Sequence, residues 1–523
     1  MKSSSTRRAF LADVGRGALI ASLGPSVAGN LGLSAGAEVL QERSELDFGP
    51  LEPLVRLLQE TPADRVLPVI VRHLRDGVDL RTWVAAGALA NARTFGGEDY
   101  VGFHTLMALS PAYHMAMESP AELRALPVLK VLYRNTQRIQ ERGGRRAEVL
   151  HPVEAAPIPD GQPAGQALQE AVRRKDVDAA ERIFATASRG SPEDAFNHLL
   201  FAVQDHTEVH RVVLPYRAWD LLDIIGKEKA HTLLRQSVRY CVNAEPARRP
   251  IVDDEPRSVL PRLLEEHRLL EREEPGTRAL DAAALAQIAD TIFTSTPAQA
   301  AGAVAAALAE GIAPSALGEA ITLAANQLIL RDAGRTAREE QPGKVIGSVH
   351  GDSIGVHAVD SANAWRNMAR MASPRNTLAC LILGAYQVAR DRIARGGDFL
   401  HWQPLPVARH LEGIRATAAE GLLRELDEAV RGNLQAHACA LVERYGSLGH
   451  DPRAVFQLLL RYATSEDGSL HGEKFFRTAS EEYATTRPEF RWRHLVALAR
   501  VTASEFGRPA AGIQEARELL TAS

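Results

Sequence analysis

Apolar residues recur at spacings of three and four along most of the chain, which is the period of an amphipathic α-helix. Alternating apolar and polar runs are few, and no Asn-Gly or Asp-Gly turn joins two strand-like segments. Several predicted helices begin with a hydroxyl residue followed by proline, which caps and preorganises the first turn. These starts are Thr61-Pro62, Ser119-Pro120, Ser191-Pro192 and Thr296-Pro297. The pattern predicts an all-α protein.

One helical unit is predicted to occur twice. The stretch from Leu74 to Ala92 aligns with Leu308 to Asn326, and the segment around His104 then aligns with that around His357. A third pair of apolar blocks follows in each copy. Three blocks in one order, at a roughly constant offset, indicate an internal duplication.

The duplication extends towards the rear of each copy, where residues 224–240 resemble residues 447–462. A histidine precedes each of these blocks, His210 in the first and His437 in the second. We therefore expect two pseudo-repeated helical halves that form one bundle-like catalytic unit with inward-facing histidines. The boundary falls in a charged, proline-rich linker and gives halves at 38–250 and 251–523.

Residues 1–37 resemble a twin-arginine signal peptide. Arg7-Arg8 precedes a run rich in Gly, Ala and Leu, and Ala35-Gly36-Ala37 offers a small-residue cleavage site. Glycine and proline interrupt the run, so no stable membrane anchor is expected. The sequence thus predicts export by the twin-arginine machinery to the periplasm or beyond. That route favours proteins that fold and take up a cofactor before export.

Composition narrows the chemistry. The net charge is −4 and no long basic stripe occurs, so nucleic acid and anionic membrane surfaces are unlikely partners. The three cysteines, Cys241, Cys380 and Cys439, are too widely spaced to predict a disulfide framework or a thiolate zinc site. The motifs of zinc peptidases and nucleotide-binding loops are absent from the sequence.

Histidine placement offers the most specific chemistry. His206 and His210 are four residues apart and are expected to share a helix face, with Asp205 and Glu208 nearby as acids that could hold a ring nitrogen. The alternative is that one of them points inward and the other outward. His350 and His357 bracket a glycine-containing segment in which Asp352 and Asp360 are candidate supporting partners. Repeat matching favours His357, whereas a capping or core role for His350 is as well supported as ligation.

A last cluster joins His471 and Lys474 at i and i+3 after a turn. A lysine buried beside a cation has a lowered pKa, and its neutral amine can react with carbon dioxide to give a carbamate, an oxygen donor. The alternative is a lysine on an exposed turn.

Four segments resemble the spaced motifs of the questin oxidase-like family, in the same order along the chain. They are FHTLMALS with His104, VHRVVLPYRAWDLL with His210, VHAVDSANAWR with His357, and DGSLHGEKFFR with His471 and Lys474. The resemblance implies an all-helical, oxygen-dependent enzyme with a histidine-bound non-heme iron and, in some members, a modified lysine. Family substrates are polycyclic aromatic polyketides. In this chain an aspartate stands where the family tends to have threonine.

Two principal hypotheses follow. The first is an exported iron oxygenase or oxidoreductase acting with dioxygen on an aromatic or polyketide-like small molecule. Its metal ligands would be His104, His210, His357 and His471, with Lys474 as a fifth, and with His206, His350 or His437 as possible replacements. Ligand type alone leaves Zn or Mn open. Tyr113, Trp365 and Arg366 would shape the pocket, and Lys474, Tyr113 and Arg366 would be catalytic.

The second hypothesis is a non-catalytic helical-repeat binding or scaffold protein of the periplasm. A loosely bound heme is a third, since the sequence has no Cys-x-x-Cys-His attachment motif. Neither alternative accounts for histidines at matching positions in the two copies.

Overall fold

The described part of the chain is predominantly helical. The computed structural model describes residues 45–245, 255–272 and 274–522. Within these ranges the protein has 23 α-helices and no β-strand, which confirms the all-α prediction. The predicted signal segment at 1–37 lies outside the described residues. From Asp47 onward the chain forms one compact unit.

The helices before the segment at 246–254 are α1 Glu52–Glu60, α2 Ala63–Arg75, α3 Leu80–Phe95, α4 Tyr100–Glu118, α5 Leu126–Glu141, α6 Ala164–Arg173, α7 Val177–Ala187, α8 Pro192–Val203, α9 Val209–Ile225 and α10 Ala230–Ala244. Those after it are α11 Glu255–Glu266, α12 Ala282–Thr294, α13 Pro297–Ala309, α14 Pro314–Arg331, α15 Ile354–Met371, α16 Pro374–Arg395, α17 Ala408–Glu412, α18 Ala419–Arg431, α19 Gln435–Ser447, α20 Pro452–Ser465, α21 His471–Thr485, α22 Trp492–Glu505 and α23 Ile513–Thr521.

Two of the four proline-marked starts have the expected cap. The hydroxyl of Ser191 accepts the backbone N–H of Asp194 at 3.1 Å, and helix α8 begins at the intervening proline. The side chain of Gln299 accepts the backbone N–H of Thr296 at 3.2 Å, at the start of α13. The Ser119 hydroxyl instead bonds back to a carbonyl of α4, and only a 3-10 turn follows it. At this position the hydroxyl bonds to the end of the preceding helix and does not cap a following one.

Four long helices form the centre of the unit. Helix α4 contacts α9, α9 contacts α15, α15 contacts α21, and α21 contacts α4, so the four close into a ring. Helices α4, α9 and α15 are buried over most of their surface, as expected for helices that carry apolar residues on all sides. Helices α3 and α5 cover α4 from outside, while α14 and α16 cover α15.

The blocks of the predicted duplication fall on corresponding helices of this arrangement. The first pair of blocks overlaps α3 and α14, and the histidine blocks fall on α4 and α15. The duplication itself stays a prediction. Among the described residues, no helix is both long enough and apolar enough to span a membrane.

Candidate metal centre

Four histidine side chains meet where the central helices begin. His104, His210, His357 and His471 each lie within the first five residues of α4, α9, α15 and α21 respectively. Their ring centroids are 4.8 Å apart for 104–210, 5.9 Å for 210–357, 5.1 Å for 357–471 and 5.0 Å for 471–104. The imidazoles therefore follow the same closed order as the helices. The sequence prediction of which four histidines come together matches this placement.

The imidazoles face one another in two close pairs through their Nε2 atoms. The Nε2 atoms of His104 and His210 are 3.2 Å apart, and those of His357 and His471 are 3.0 Å apart. Two imidazoles bound at right angles to one ion, with metal–nitrogen bonds of ~2.1 Å, would place their nitrogens roughly 3.0 Å apart. Both distances therefore suit neighbouring ligands of a single ion.

The other ring nitrogen of the first pair is held by an acceptor. Nδ1 of His104 donates to the Tyr100 carbonyl at 2.7 Å, and Nδ1 of His210 donates to the Glu208 carboxylate at 2.6 Å. A neutral imidazole that donates through Nδ1 presents a lone pair at Nε2. If both imidazoles are neutral, their lone pairs face each other at 3.2 Å and repel unless a cation lies between them, and a proton on one Nε2 or a metal ion would fill that role. This geometry is the usual way in which a protein prepares histidines for a metal.

Glu208 is both a helix cap and the support of a ligand. Its carboxylate accepts the backbone N–H groups of His210 and Arg211 at 3.1 and 3.0 Å, and it accepts the Tyr240 hydroxyl at 2.7 Å. Burial would raise the pKa of this carboxyl, but the hydrogen bond and the charge of His210 outweigh burial and lower it. The carboxylate therefore stays ionised beside the imidazole. Sequence analysis named Asp205 and Glu208 for this role, and Asp205 instead accepts from Gln169 and Arg173.

The remaining imidazoles are held in their neutral form. Burial, followed by the nearby charge of Lys474, lowers the pKa of His357 to about 3 and places those of His104 and His471 well below the ordinary value. The exposed fraction of His104 and of His471 is 2%. Neutral imidazole is the form that binds transition metals.

Lys474 lies one helical turn after His471 and is also buried, at 2% exposure. Burial lowers the pKa of its amine to about 8, and the charge of Asp360 opposes that shift. Oδ1 of Asp360 is buried and has no hydrogen-bond partner among the described residues. The buried lysine and the incompletely hydrogen-bonded carboxylate are polar groups that packing of the apolar core does not require.

The backbone that delivers His471 is strained. Ser469 and Leu470 have φ angles of +52° and +67°, a left-handed conformation that non-glycine residues adopt at a cost of roughly 1 kcal/mol or more each. Asp467 stabilises the turn by accepting the Ser469 N–H at 3.0 Å. The Nδ1 atom of His471 is buried without a hydrogen-bond partner in the described chain. Strain of this kind is concentrated at functional sites.

The donor set fits a metal, whereas the coordination sphere is incomplete. Within the described ranges, no group of three or more His, Cys, Asp or Glu side chains has the geometry to hold a metal ion as it stands. What the structure provides is two close pairs of imidazoles, and one ion bound by all four would require the pairs to draw together. Nitrogen donors of this type suit iron, zinc and manganese.

The other candidate ligands lie outside the four central helices. Helix α9 begins at Val209, so His206 lies in the preceding loop and the predicted shared helix face with His210 is wrong. His350 is buried in the turn before α15, and neither of its ring nitrogens has a partner in the described chain. His437 lies on α19, close enough to His410 for their charges to interact.

Three residues expected to shape the pocket lie further along the helices. Tyr113 and Arg366 each stand nine positions after the histidine of their helix, or about 13 Å along its axis. Arg366 is ion-paired with Glu482, and Nε1 of Trp365 donates to Gln387 at 2.8 Å inside the core. The structure does not bring these side chains to the imidazoles.

Aromatic residues that sequence analysis missed surround the first pair. The Tyr100 ring lies 4.4 Å from that of His104, and the Phe103 ring lies 5.0 Å from that of His210. Tyr100 is 60% exposed, so this side of the cluster lies near solvent. The sequence position of Tyr100 could have indicated this contact, because a residue one helical turn before His104 lies on the same face of the helix.

Comparison with known proteins finds no match: no family model, no curated protein and no solved structure is similar to this chain.

Proposed function

We propose that the four imidazoles bind one redox-active metal ion, iron in the first instance, and that the protein is a metal-dependent oxidoreductase. The observation that carries the proposal is the approach of the His104 and His210 Nε2 atoms to 3.2 Å while both Nδ1 atoms are occupied as donors. A buried pair of facing lone pairs is unfavourable without a cation. The second pair brings its Nε2 atoms to 3.0 Å, although Nδ1 of His471 has no hydrogen-bond partner among the described residues.

Iron is preferred over zinc because of the donor number. Four imidazoles and Lys474, if carbamylated, would supply five ligands and leave one position of an octahedron open, whereas zinc sites are mostly four-coordinate. Iron(II) with an open position supplies dioxygen activation. The chain's own residues orient the imidazoles through the Tyr100 carbonyl and Glu208, and exclude water from the ring pairs by burial.

The resemblance to the questin oxidase-like family supports the same reading. It points to an oxygenase that uses dioxygen and an aromatic or polyketide-like small molecule. The aspartate at position 360 departs from the family pattern beside Lys474, so we expect a different substrate within that chemical class. The twin-arginine motif supports export of the folded, metal-loaded protein to the periplasm.

Elemental analysis tests the proposal most directly. We expect about one equivalent of iron per chain in the purified protein and its loss in His104→Ala and in His357→Ala, one variant from each pair. His437→Ala is the matched control, because that histidine lies on another helix, and it should retain the metal. Circular dichroism must show that all variants remain helical.

The outcome also decides between the alternatives. Metal retained in both site variants would place the ion elsewhere and refute the four-histidine centre. A folded wild type without metal, even after reconstitution with iron, zinc or manganese, would leave the helical binding or scaffold protein as the better hypothesis. If iron is bound, oxygen consumption is then screened with aromatic substrates.

A further inference from the structure

A cavity of about 990 Å³ opens at the end of α15 that is remote from His357. Arg366, Ala369 and Arg370 from that helix line it, and they stand nine to thirteen positions, roughly 13–20 Å, beyond the imidazole. The first turns of α14 and α16 form another part of its wall. The cavity is therefore a separate site from the candidate metal centre, and its volume lies at the upper end of the range for small-molecule pockets.

Much of the cavity wall is apolar. Contributions come from three parts of the fold, namely the segment before α12, the end of α13 and the helices around α15. The principal apolar side chains are Leu270, Leu308, Pro314, Ala369, Pro374 and Leu378. Leu270 lines this space and is 57% exposed, so an apolar ligand bound here would cover it.

The charged groups of the cavity are mainly arginines without acidic partners. Arg370 is exposed and forms no ion pair or side-chain hydrogen bond with any described residue. The Arg375 guanidinium lies 4.1 Å from the centre of the Phe201 ring and donates only to amide oxygens. Burial lowers its pKa, because no carboxylate compensates for lost hydration. Neither guanidinium forms an ion pair within the described chain, although carboxylates line the neighbouring clefts that each arginine also borders.

Three further charged groups line the cavity. Arg366 is neutralised by Glu482, and Arg272 donates to backbone carbonyls at the end of α13. Glu274 is the acid that lines the cavity. The lining thus keeps a positive excess after every ion pair within the described chain is counted.

Two helix N-termini add to this positive field. Helices α14 and α16 begin at Pro314 and Pro374 at the cavity wall, and neither has a side-chain cap. Uncapped N–H groups and the positive end of the helix dipole favour an anion. Helix ends of this kind are common, so they reinforce the arginines and do not define the site alone.

We propose that this cavity binds a small amphipathic anion, a carboxylate with an apolar tail or ring system. The carboxylate would pair with Arg370 and Arg375 near the two helix N-termini, and the apolar part would cover the leucine-rich wall. The proposal does not depend on a metal at the histidine cluster.

Calorimetric titration of the full chain with three ten-carbon probes tests this proposal. Decanoate, decanol and decyltrimethylammonium share the tail and differ in head-group charge, and each is used below its micelle concentration. We expect saturable binding of one decanoate per chain, with decanol at least about fivefold weaker and the cation weaker still. Equal affinity for decanoate and decanol, or no saturable decanoate binding, would overturn the proposal.

Variants locate the binding site. Arg370→Gln should weaken decanoate about five- to tenfold, and Arg370→Glu should weaken it further, with decanol unaffected. Because Arg370 is exposed, neither change should impair folding. Arg424→Gln, at an exposed arginine of α18, is the matched control and should bind like the wild type. Decanoate binding that survives Arg370→Glu unchanged would place the anion elsewhere.

Discussion

Replacing Glu208 with alanine separates the support of a metal ligand from the stability of the fold. The change removes the cap of α9, which costs about 1 kcal/mol, and it leaves the Tyr240 hydroxyl without its acceptor, which costs about 1 kcal/mol more at a half-buried position. We therefore expect the metal-free protein to lose about 1–3 kcal/mol of unfolding free energy. Urea denaturation after chelation measures that loss.

Metal affinity should change by a separate route. Nδ1 of His210 loses the acceptor that fixes its ring, and removal of such an acceptor typically weakens metal binding about 10- to 100-fold. Competition with a chromophoric chelator measures the affinity. Glu208→Gln keeps an acceptor oxygen without the charge and should fall between alanine and wild type.

A second helix cap provides the control. Asp281 caps α12 by accepting the Ala284 N–H at 2.7 Å and has no histidine to orient. Asp281→Ala should therefore lose about 1 kcal/mol of stability with unchanged metal affinity. If Glu208→Ala folds and binds the metal as tightly as the wild type does, the assigned role of Glu208 is wrong.

Three other predictions concern buried charge and backbone space. Lys130→Met should destabilise the protein by about 3–5 kcal/mol in urea denaturation, because it leaves the buried Glu473 carboxylate, which Nζ contacts at 2.7 Å, without its partner. Adding Glu473→Met should restore most of the loss. A double variant no more stable than the single one would contradict this. Burial raises the pKa of Asp391 from 3.8 to about 7, so the folded state holds a proton that the unfolded state releases. Unfolding free energy should thus fall between about pH 4 and 7, by at most about 4 kcal/mol, and Asp391→Asn should flatten that slope. Gly97→Ala should lower the unfolding free energy by more than about 3 kcal/mol in thermal or urea unfolding, since the added Cβ would lie 2.2 Å from a backbone oxygen of α10. Gly77→Ala, also at positive φ but in open space, should lower it by only about 1–2 kcal/mol. Equal losses in the two variants would show that crowding is not the cause.

The helical class could be predicted because periodicity leaves a local mark in the sequence. The repeat singled out His104 and His357, which occupy matching places in two similar blocks. It paired His210 with His437, since position along a repeat does not reveal which helices contact one another. His471 entered the set of four through the family resemblance, and the structure places it beside the other three.

Errors at helix boundaries had larger consequences. His206 was predicted to share a helix face with His210 because the four-residue spacing is correct for a helix, but Glu208 caps α9 and ends that periodicity between them. The same capping preference was visible in the sequence. Long-range relations left no comparable signal: the carbonyl that holds His104 and the arginines around the remote cavity depend on tertiary packing.

The placement of the four imidazoles on separate central helices also constrains the order of events during biosynthesis. The paired histidines are 106 and 114 residues apart in sequence, so each pair closes a long loop only after intervening helices have folded. The last imidazole is made after the helices that carry the other three. A chain that ends before it can therefore offer at most three of the four donors, and loading of the proposed metal would follow the assembly of the helical ring. A bound ion would then join distant parts of the chain, slowing unfolding in the manner of a reversible cross-link.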